Sequence, residues 1–249
     1  MKGEELLEKM ELIEPAYVEQ ADMPPVRRRK MGSVWAAAAC VCMILGTALW
    51  PREPAEPQVG DFTLSEGTTA KVTVGIDDTV SAGKTDLEWL AEEELFHQKG
   101  LYAFRGRVSE LTNVTIDFNG DKEIRCIATV AVEKVYCGEV AEGEQIAILL
   151  PCSAGMAGLK IEDTGIAAQI ESGMEGIFMP RAYREDARWE QNGATLMLRD
   201  LAPRGLWDGM RWLFLETEQG LVYEENSYPG AAGAVTLDDI EEYVVKMLG

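Results

Sequence analysis

Residues 31 to 51, MGSVWAAAACVCMILGTALWP, carry no charge. A bilayer core takes about 20 apolar residues at a rise of about 1.5 Å each. The run therefore has the length of one membrane-spanning helix. Arg27-Arg28-Arg29-Lys30 precede it, and PREPAEP follows with one Arg and two Glu. That asymmetry keeps the basic side in the cytoplasm and exports what comes after. Trp35 and Trp50 stand near the two ends, where interfacial aromatic belts place tryptophan. Two other fates compete. A lipoprotein signal would end its apolar stretch at Cys40, with Leu three residues earlier. Here Ala37 holds that place, and VCMILGTALW after Cys40 stays apolar. A cleaved signal peptide would need a charged leader far longer than the few residues usual for such signals. The expectation is an uncleaved anchor with its N-terminus inside.

An anchor there divides the 249 residues. Residues 1–30 form a cytoplasmic amphipathic segment, 31–51 the transmembrane helix, 52–84 a linker rich in Pro, Gly and Thr, and 85–249 an extracytoplasmic domain. In GEELLEKMELIE, Leu6, Leu7, Met10 and Ile13 share one helical face until Pro15 breaks the pattern. That stripe is a candidate docking surface for a cytoplasmic protein partner; the alternative is a loosely ordered tail. The net charge of −20 argues against nucleic acid, whose phosphates require clustered Lys and Arg.

The exported part mostly alternates with period two. Thr85 and Glu88 form a capping box before a helix from about 86 to 99, stopped at Gly100. KVTVGI in the linker is a candidate short strand. LYAFRGRVSEL reads as a strand that Gly106 allows to bend or bulge. Two strands flank the Asn119-Gly120 turn signal. In the second, Ile124, Cys126, Ala128, Val130 and Val132 share one face, with Arg125, Thr129 and Glu133 on the other. GEQIAILLPC, GMEGIFMPRAY and GATLMLRDL are further strands, and MRWLFLETEQGLVYEEN is a hairpin around Gln219-Gly220. Thr236 and Asp239 cap a last helix, with Leu237, Ile240, Val244 and Met247 on one face. The fold class is mainly β with flanking helices, α+β.

Two resemblances rest on these residues. EELLEKMELIEPAYVEQA, then RRRK and an Ala-rich span, looks like a recurrent N-terminus in bitopic membrane proteins of Gram-positive, clostridia-like bacteria, some described as anti-sigma-factor-like. Residues 1–30 hold no His and no Cys, so the zinc-binding form of such domains does not fit. ELFHQKGLYAFRGRVSEL, IATVAVEKVYCGEVAEGEQIAILLPC and GMEGIFMPRAY are similar to exported OB-like barrel domains of such bacteria. Cys137-Gly138 departs from their usual Lys-Gly, and Glu175 follows Met174 where they have Gly. The resemblance implies an OB-like barrel behind one transmembrane helix. It carries over no catalytic residue.

No catalytic, cofactor or metal set is assigned. His97 is the only histidine, so every His-dependent nucleophilic arrangement would have to use it. It falls at a helix end, where the dipole suits a basic group. DFNGDKE alternates acids like a calcium loop, yet the sixth and twelfth positions are Lys122 and Ala128; a hairpin tip explains the same residues. SAGKT lacks the first glycine of a phosphate loop. Among Cys126, Cys137 and Cys152, one pair, Cys137 with Cys152, is conceivable, against three buried thiols. Trp189, Trp207, Trp212 and Tyr228 are candidate ligand-face aromatics, with core packing as the alternative. The sequence thus points to a non-enzymatic single-pass protein that binds or senses an envelope ligand. The alternatives are a tethered hydrolase using carboxylates and a structural adhesin or scaffold.

Overall fold

Strands form where the period-two pattern predicts them, and one sheet organises nearly all of them. The computed structural model describes residues 62–77, 90–155 and 165–249, all within the unit Ala55–Gly249. The stripe Leu6, Leu7, Met10 and Ile13, the apolar run 31–51 and the Thr85–Glu88 cap lie outside the described residues. Among the described residues, no helix is long and apolar enough to cross a membrane.

Within them, the protein is mainly β. The strands are β1 (Lys71–Val74), β2 (Ala103–Phe118), β3 (Asp121–Cys137), β4 (Gln145–Leu150), β5 (Glu175–Phe178), β6 (Arg181–Ala182), β7 (Arg188–Gln191), β8 (Ala194–Met197), β9 (Arg204–Gly205), β10 (Leu213–Thr217) and β11 (Gly220–Val222). The helices are α1 (Glu92–Phe96) and α2 (Leu237–Leu248). Nine of these strands make a sheet that curls into a half-barrel, in the order β11-β10-β5-β2-β3-β4-β9-β6, with β1 also paired to β2. β5-β2-β3-β4 is a Greek-key order, 4-1-2-3. β7 and β8 form a separate hairpin.

β2 and β3 meet at the predicted Asn119-Gly120 turn, where Phe118 pairs with Asp121. Asn119 and Gly120 both have positive φ, 54° and 101°, as a two-residue hairpin of this hand requires. The Asp117 carboxylate accepts the Gly120 N–H at 2.6 Å, so this acid serves the turn.

The sheet is covered on both faces. Phe104, Val108, Cys126, Ala128, Val130, Ile146, Ile148 and Leu150 enter a first core with α1, α2 and β10. Val114, Ile116, Phe118, Ile127 and Leu149 enter a second core under β1 and the β7–β8 hairpin. One long strand serves both because of a bulge. Val108 pairs with Val130 and Glu110 with Thr129, which leaves Ser109 as an extra residue. Side chains alternate strictly along a strand, so one inserted residue exchanges the faces. Even-numbered residues of β2 face the first core before Ser109 and the second core after it.

Gly106 permits the bend at the other end. A Cβ there would lie 2.5 Å from the Ala131 carbonyl oxygen and 2.8 Å from Val130 Cγ1. Gly176 stands opposite it in register, and a Cβ on Gly176 would meet the Phe214 carbonyl oxygen at 2.7 Å. Both obstacles are backbone of the same sheet. Gly106→Ala is therefore expected to lower stability by about 1–3 kcal/mol, the usual cost of overpacking, read as a lower urea midpoint with unchanged m.

Several boundaries differ from the sequence reading. Residues 62–77, expected inside the linker, belong to the folded unit: the Asp200 carboxylate accepts from Ser65 N and Oγ, each at 3.0 Å, and Val72 is buried. The described part of the first helix is the short turn α1, ending at His97, not at residue 99. The C-terminal helix falls where its signals put it. The Thr236 hydroxyl accepts from Asp239 N at 3.2 Å, and the Asp239 carboxylate accepts from Thr236 N at 2.9 Å. Leu237, Ile240 and Val244 are buried.

Candidate functional site

The second core does not close completely. Between β4, the β7–β8 hairpin and the segment after β9 lies a cavity of about 360 Å³. Its walls are Arg125, Leu149, Leu150, Pro151, Tyr183, Arg188, Trp189, Glu190, Leu198, Leu206 and Trp207. The volume is at the small end of ligand sites, which pair apolar walls with a few placed polar groups.

Each wall follows from local structure. Arg125 lies on β3 opposite Val114, on the face that carries the second core. Its guanidinium stacks on Trp189, with Cζ 4.5 Å from the ring centroid, and Phe118 packs on the same indole at 4.8 Å. β7 and β8 hold Trp189 through an Asn192-Gly193 turn, again with positive φ at both residues, 46° and 74°. The two hairpin tips clasp each other: Asn119 Nδ2 donates to the Asn192 carbonyl at 3.1 Å, and Asn192 Nδ2 donates to the Asn119 carbonyl at 2.9 Å.

Tyr183 reaches the site across Gly205, where any Cβ would fall on its hydroxyl. Burial pushes the Tyr183 phenol up to about 12, against the opposing pull of Arg125. At neutral pH it is a neutral donor. Trp207 is 58% exposed. One of its faces carries Arg181, with Cζ 4.2 Å from the centroid.

The charges at the site are incompletely matched. The hydrogen bonds of Arg125 all leave from Nη1, to Glu123 at 3.3 Å and the Ile124 carbonyl at 2.8 Å. Its Nε and Nη2 make none to the described residues. Burial lowers the pKa of Arg125, offset in part by Glu123; burial also lowers that of Arg181. Among the described residues, no carboxylate lies within ion-pair distance of Arg181. Arg188 pairs with Glu190 at 2.8 Å. In a chain of net charge −20, this is a local cluster of the opposite sign.

Of the four aromatics singled out from sequence, Trp189 and Trp207 line the cavity. Trp212 and Tyr228 do not. Trp212 is 1% exposed, and its indole N–H donates to Asp208 Oδ2 at 2.8 Å. Tyr228 is buried among Phe96, Phe214 and Tyr243, and its hydroxyl donates to the Arg211 carbonyl. Both are core residues because each polar tip finds a partner inside. His97 Nδ1 donates to the Glu93 carbonyl at 2.7 Å, closing its own helix end. The Cys137–Cys152 disulfide is not formed; Cys137 is a thiol, its Sγ 3.7 Å from the Leu101 carbonyl oxygen.

Sequence reasoning did not single out Arg125, Tyr183 or Arg181 as site residues. It also missed strand β7, although Asn192-Gly193 carries the same signal as Asn119-Gly120. No family model matches the chain, and comparisons with curated proteins and with solved structures return no match.

Proposed function

We propose that the chain is a single-pass membrane protein whose exported, OB-like domain binds a small envelope ligand in the Arg125–Trp207 cavity. The cavity is the observation that carries this reading: placed cationic and aromatic groups around a space of ligand size. The OB-like assignment draws support from the Greek-key order β5-β2-β3-β4 and from the parallel pairing of β4 with β9. OB barrels bind ligands on the face of their second and third strands and between loops, and here β3, β4 and the β5–β9 connection wall the cavity. The uncharged run 31–51 behind four basic residues supports an anchor with the domain outside. Among the described residues, Glu190 is the one carboxylate lining the cavity, whereas glycoside hydrolysis takes two facing acids. This favours binding over hydrolysis.

A ligand that binds only the folded state raises stability by RT ln(1 + [L]/Kd). Thermal unfolding of the full chain in detergent, against a panel of envelope saccharides and peptides, is expected to reveal at least one stabiliser. Its effect should vanish in Trp207→Ala. A panel without effect, or an equal shift in Trp207→Ala, would contradict the reading. The cytoplasmic segment is proposed to dock a protein partner through Leu6, Leu7, Met10 and Ile13, in the manner of anti-sigma-like segments. Affinity capture with the full chain should lose that partner in Leu6→Asp with Met10→Asp.

A further inference from the structure

We infer that the ligand of the cavity is an anionic saccharide: a sugar ring bearing a single carboxylate or phosphate. The inference rests on the binding reading above and names the ligand class of that same site. Three observations carry it.

First, Trp207 is a flat apolar surface at the cavity wall, more than half exposed and held on one face by Arg181. An indole face of this kind accepts the C–H face of a pyranose. Trp189 is not available for stacking, because Phe118 and Arg125 already pack on its ring. One platform fits one ring.

Second, the donors beside it select an anion. Arg125 keeps Nε and Nη2 uncommitted among the described residues, in the planar fork that carboxylate and phosphate oxygens match. The Tyr183 hydroxyl also makes no hydrogen bond to the described residues. Burial pushes its phenol up, so it stays a donor. Third, Glu190 and Arg188 sit on the same wall as acceptor and donor, the pairing that reads sugar hydroxyls. A polyanion is disfavoured by the surrounding charge of −20, and the volume of about 360 Å³ suits a short ligand, not a polymer laid along the sheet.

The test is calorimetric titration of the full chain in a detergent without a sugar headgroup. The probes are methyl β-glucuronide, glucose 6-phosphate, the neutral methyl β-glucoside, inorganic phosphate and adenosine monophosphate. Saturable binding of the glucuronide or of glucose 6-phosphate is expected, about tenfold or more tighter than the glucoside, as loss of one charge-assisted contact implies. The tighter of the two acidic sugars identifies the anion. Trp207→Ala should abolish this binding, and Tyr183→Phe and Arg125→Lys should each weaken it severalfold. Tyr183→Phe keeps the ring and its packing, so it reports even if Arg125→Lys disturbs the fold. Equal binding of glucoside and glucuronide, tighter binding of inorganic phosphate alone, or tighter binding of adenosine monophosphate would each overturn the saccharide assignment. If one of those probes binds and depends on Trp207, the ligand class is wrong while the binding site stands. If no probe gives heat that depends on Trp207, the saccharide inference is overturned, and the binding reading stands or falls with the wider saccharide and peptide panel above.

Discussion

A chain lacking Ser109 should fold with its register unchanged. From the Val108–Val130 pair to the Val114–Arg125 pair β2 takes six steps and β3 five, so Ser109 is the surplus residue and its removal leaves every later pair in place. Were Ser109 instead paired within the ladder, Val114, Ile116 and Phe118, all fully buried in the second core, would turn toward the first. Side chains of this size each contribute about 1.5–3 kcal/mol on burial. Losing three of them would cost about 4.5–9 kcal/mol, as much as the whole stability of a typical domain at about 5–15 kcal/mol, and this burial holds the bulge in place. Ser109→Ala is the control, because it keeps the residue and removes only a hydroxyl. That hydroxyl lies 3.0 Å from the Thr129 carbonyl oxygen and 2.9 Å from Gln145 Oε1. Both variants should fold, the control at a cost of about 1 kcal/mol. Near-ultraviolet circular dichroism and the urea midpoint report on each. A deletion variant that fails to fold while Ser109→Ala folds would show that Ser109 is not a surplus residue of the ladder.

Asp208→Ala should lose about 3–5 kcal/mol, the range for breaking one partner out of a buried ion pair. Asp208 and Arg211 have side chains only 4% and 6% exposed and pair at 2.8 Å. The same carboxylate accepts from Met210 N at 2.9 Å, Arg211 N at 2.8 Å, Arg211 Nε at 2.9 Å and Trp212 Nε1 at 2.8 Å. Removing it strips acceptors from two backbone amides, a guanidinium and an indole together. Asp208→Asn retains oxygen at one position and should cost less. Urea unfolding gives the comparison, and a loss below about 1 kcal/mol for Asp208→Ala would show that the carboxylate is not structural. The effect reaches the cavity wall, because Asp208 follows Trp207. A loosened loop should also weaken any ligand stacked on that indole.

What the sequence revealed divides along physical lines. Local signals were legible. Asn119-Gly120 is a turn because both residues must take positive φ, and the Thr236 cap begins a helix because its donors need acceptors. The bulge was not legible, since serine has no preference that marks an extra strand residue. Period two placed Arg125 on the face opposite Cys126 and Ala128, which is where it lies. It could not tell that a second layer covers that face and turns an outward arginine into a cavity wall. Nor could it separate Trp207 from Trp212, five positions apart in the same segment. Their fates depend on Asp208 reaching one indole N–H and on Arg181 reaching the other ring, both of which are tertiary facts. β7 could have been found from Asn192-Gly193 and the alternation of RWEQ.

The proposed ligand-binding role requires the folded unit to stand outside the membrane. Val235 is 71% exposed, so Val235→Cys offers a reporter on that unit, and Lys2→Cys offers one on the segment before the basic cluster. Cys137→Ser removes the half-buried native thiol. Cys126 stays unreactive, because burial pushes its thiol up to about 12. A membrane-impermeant maleimide applied to protoplasts should label Val235→Cys at once and Lys2→Cys only after permeabilisation. Labelling of Val235→Cys only once the membrane is opened would contradict an exported ligand-binding domain.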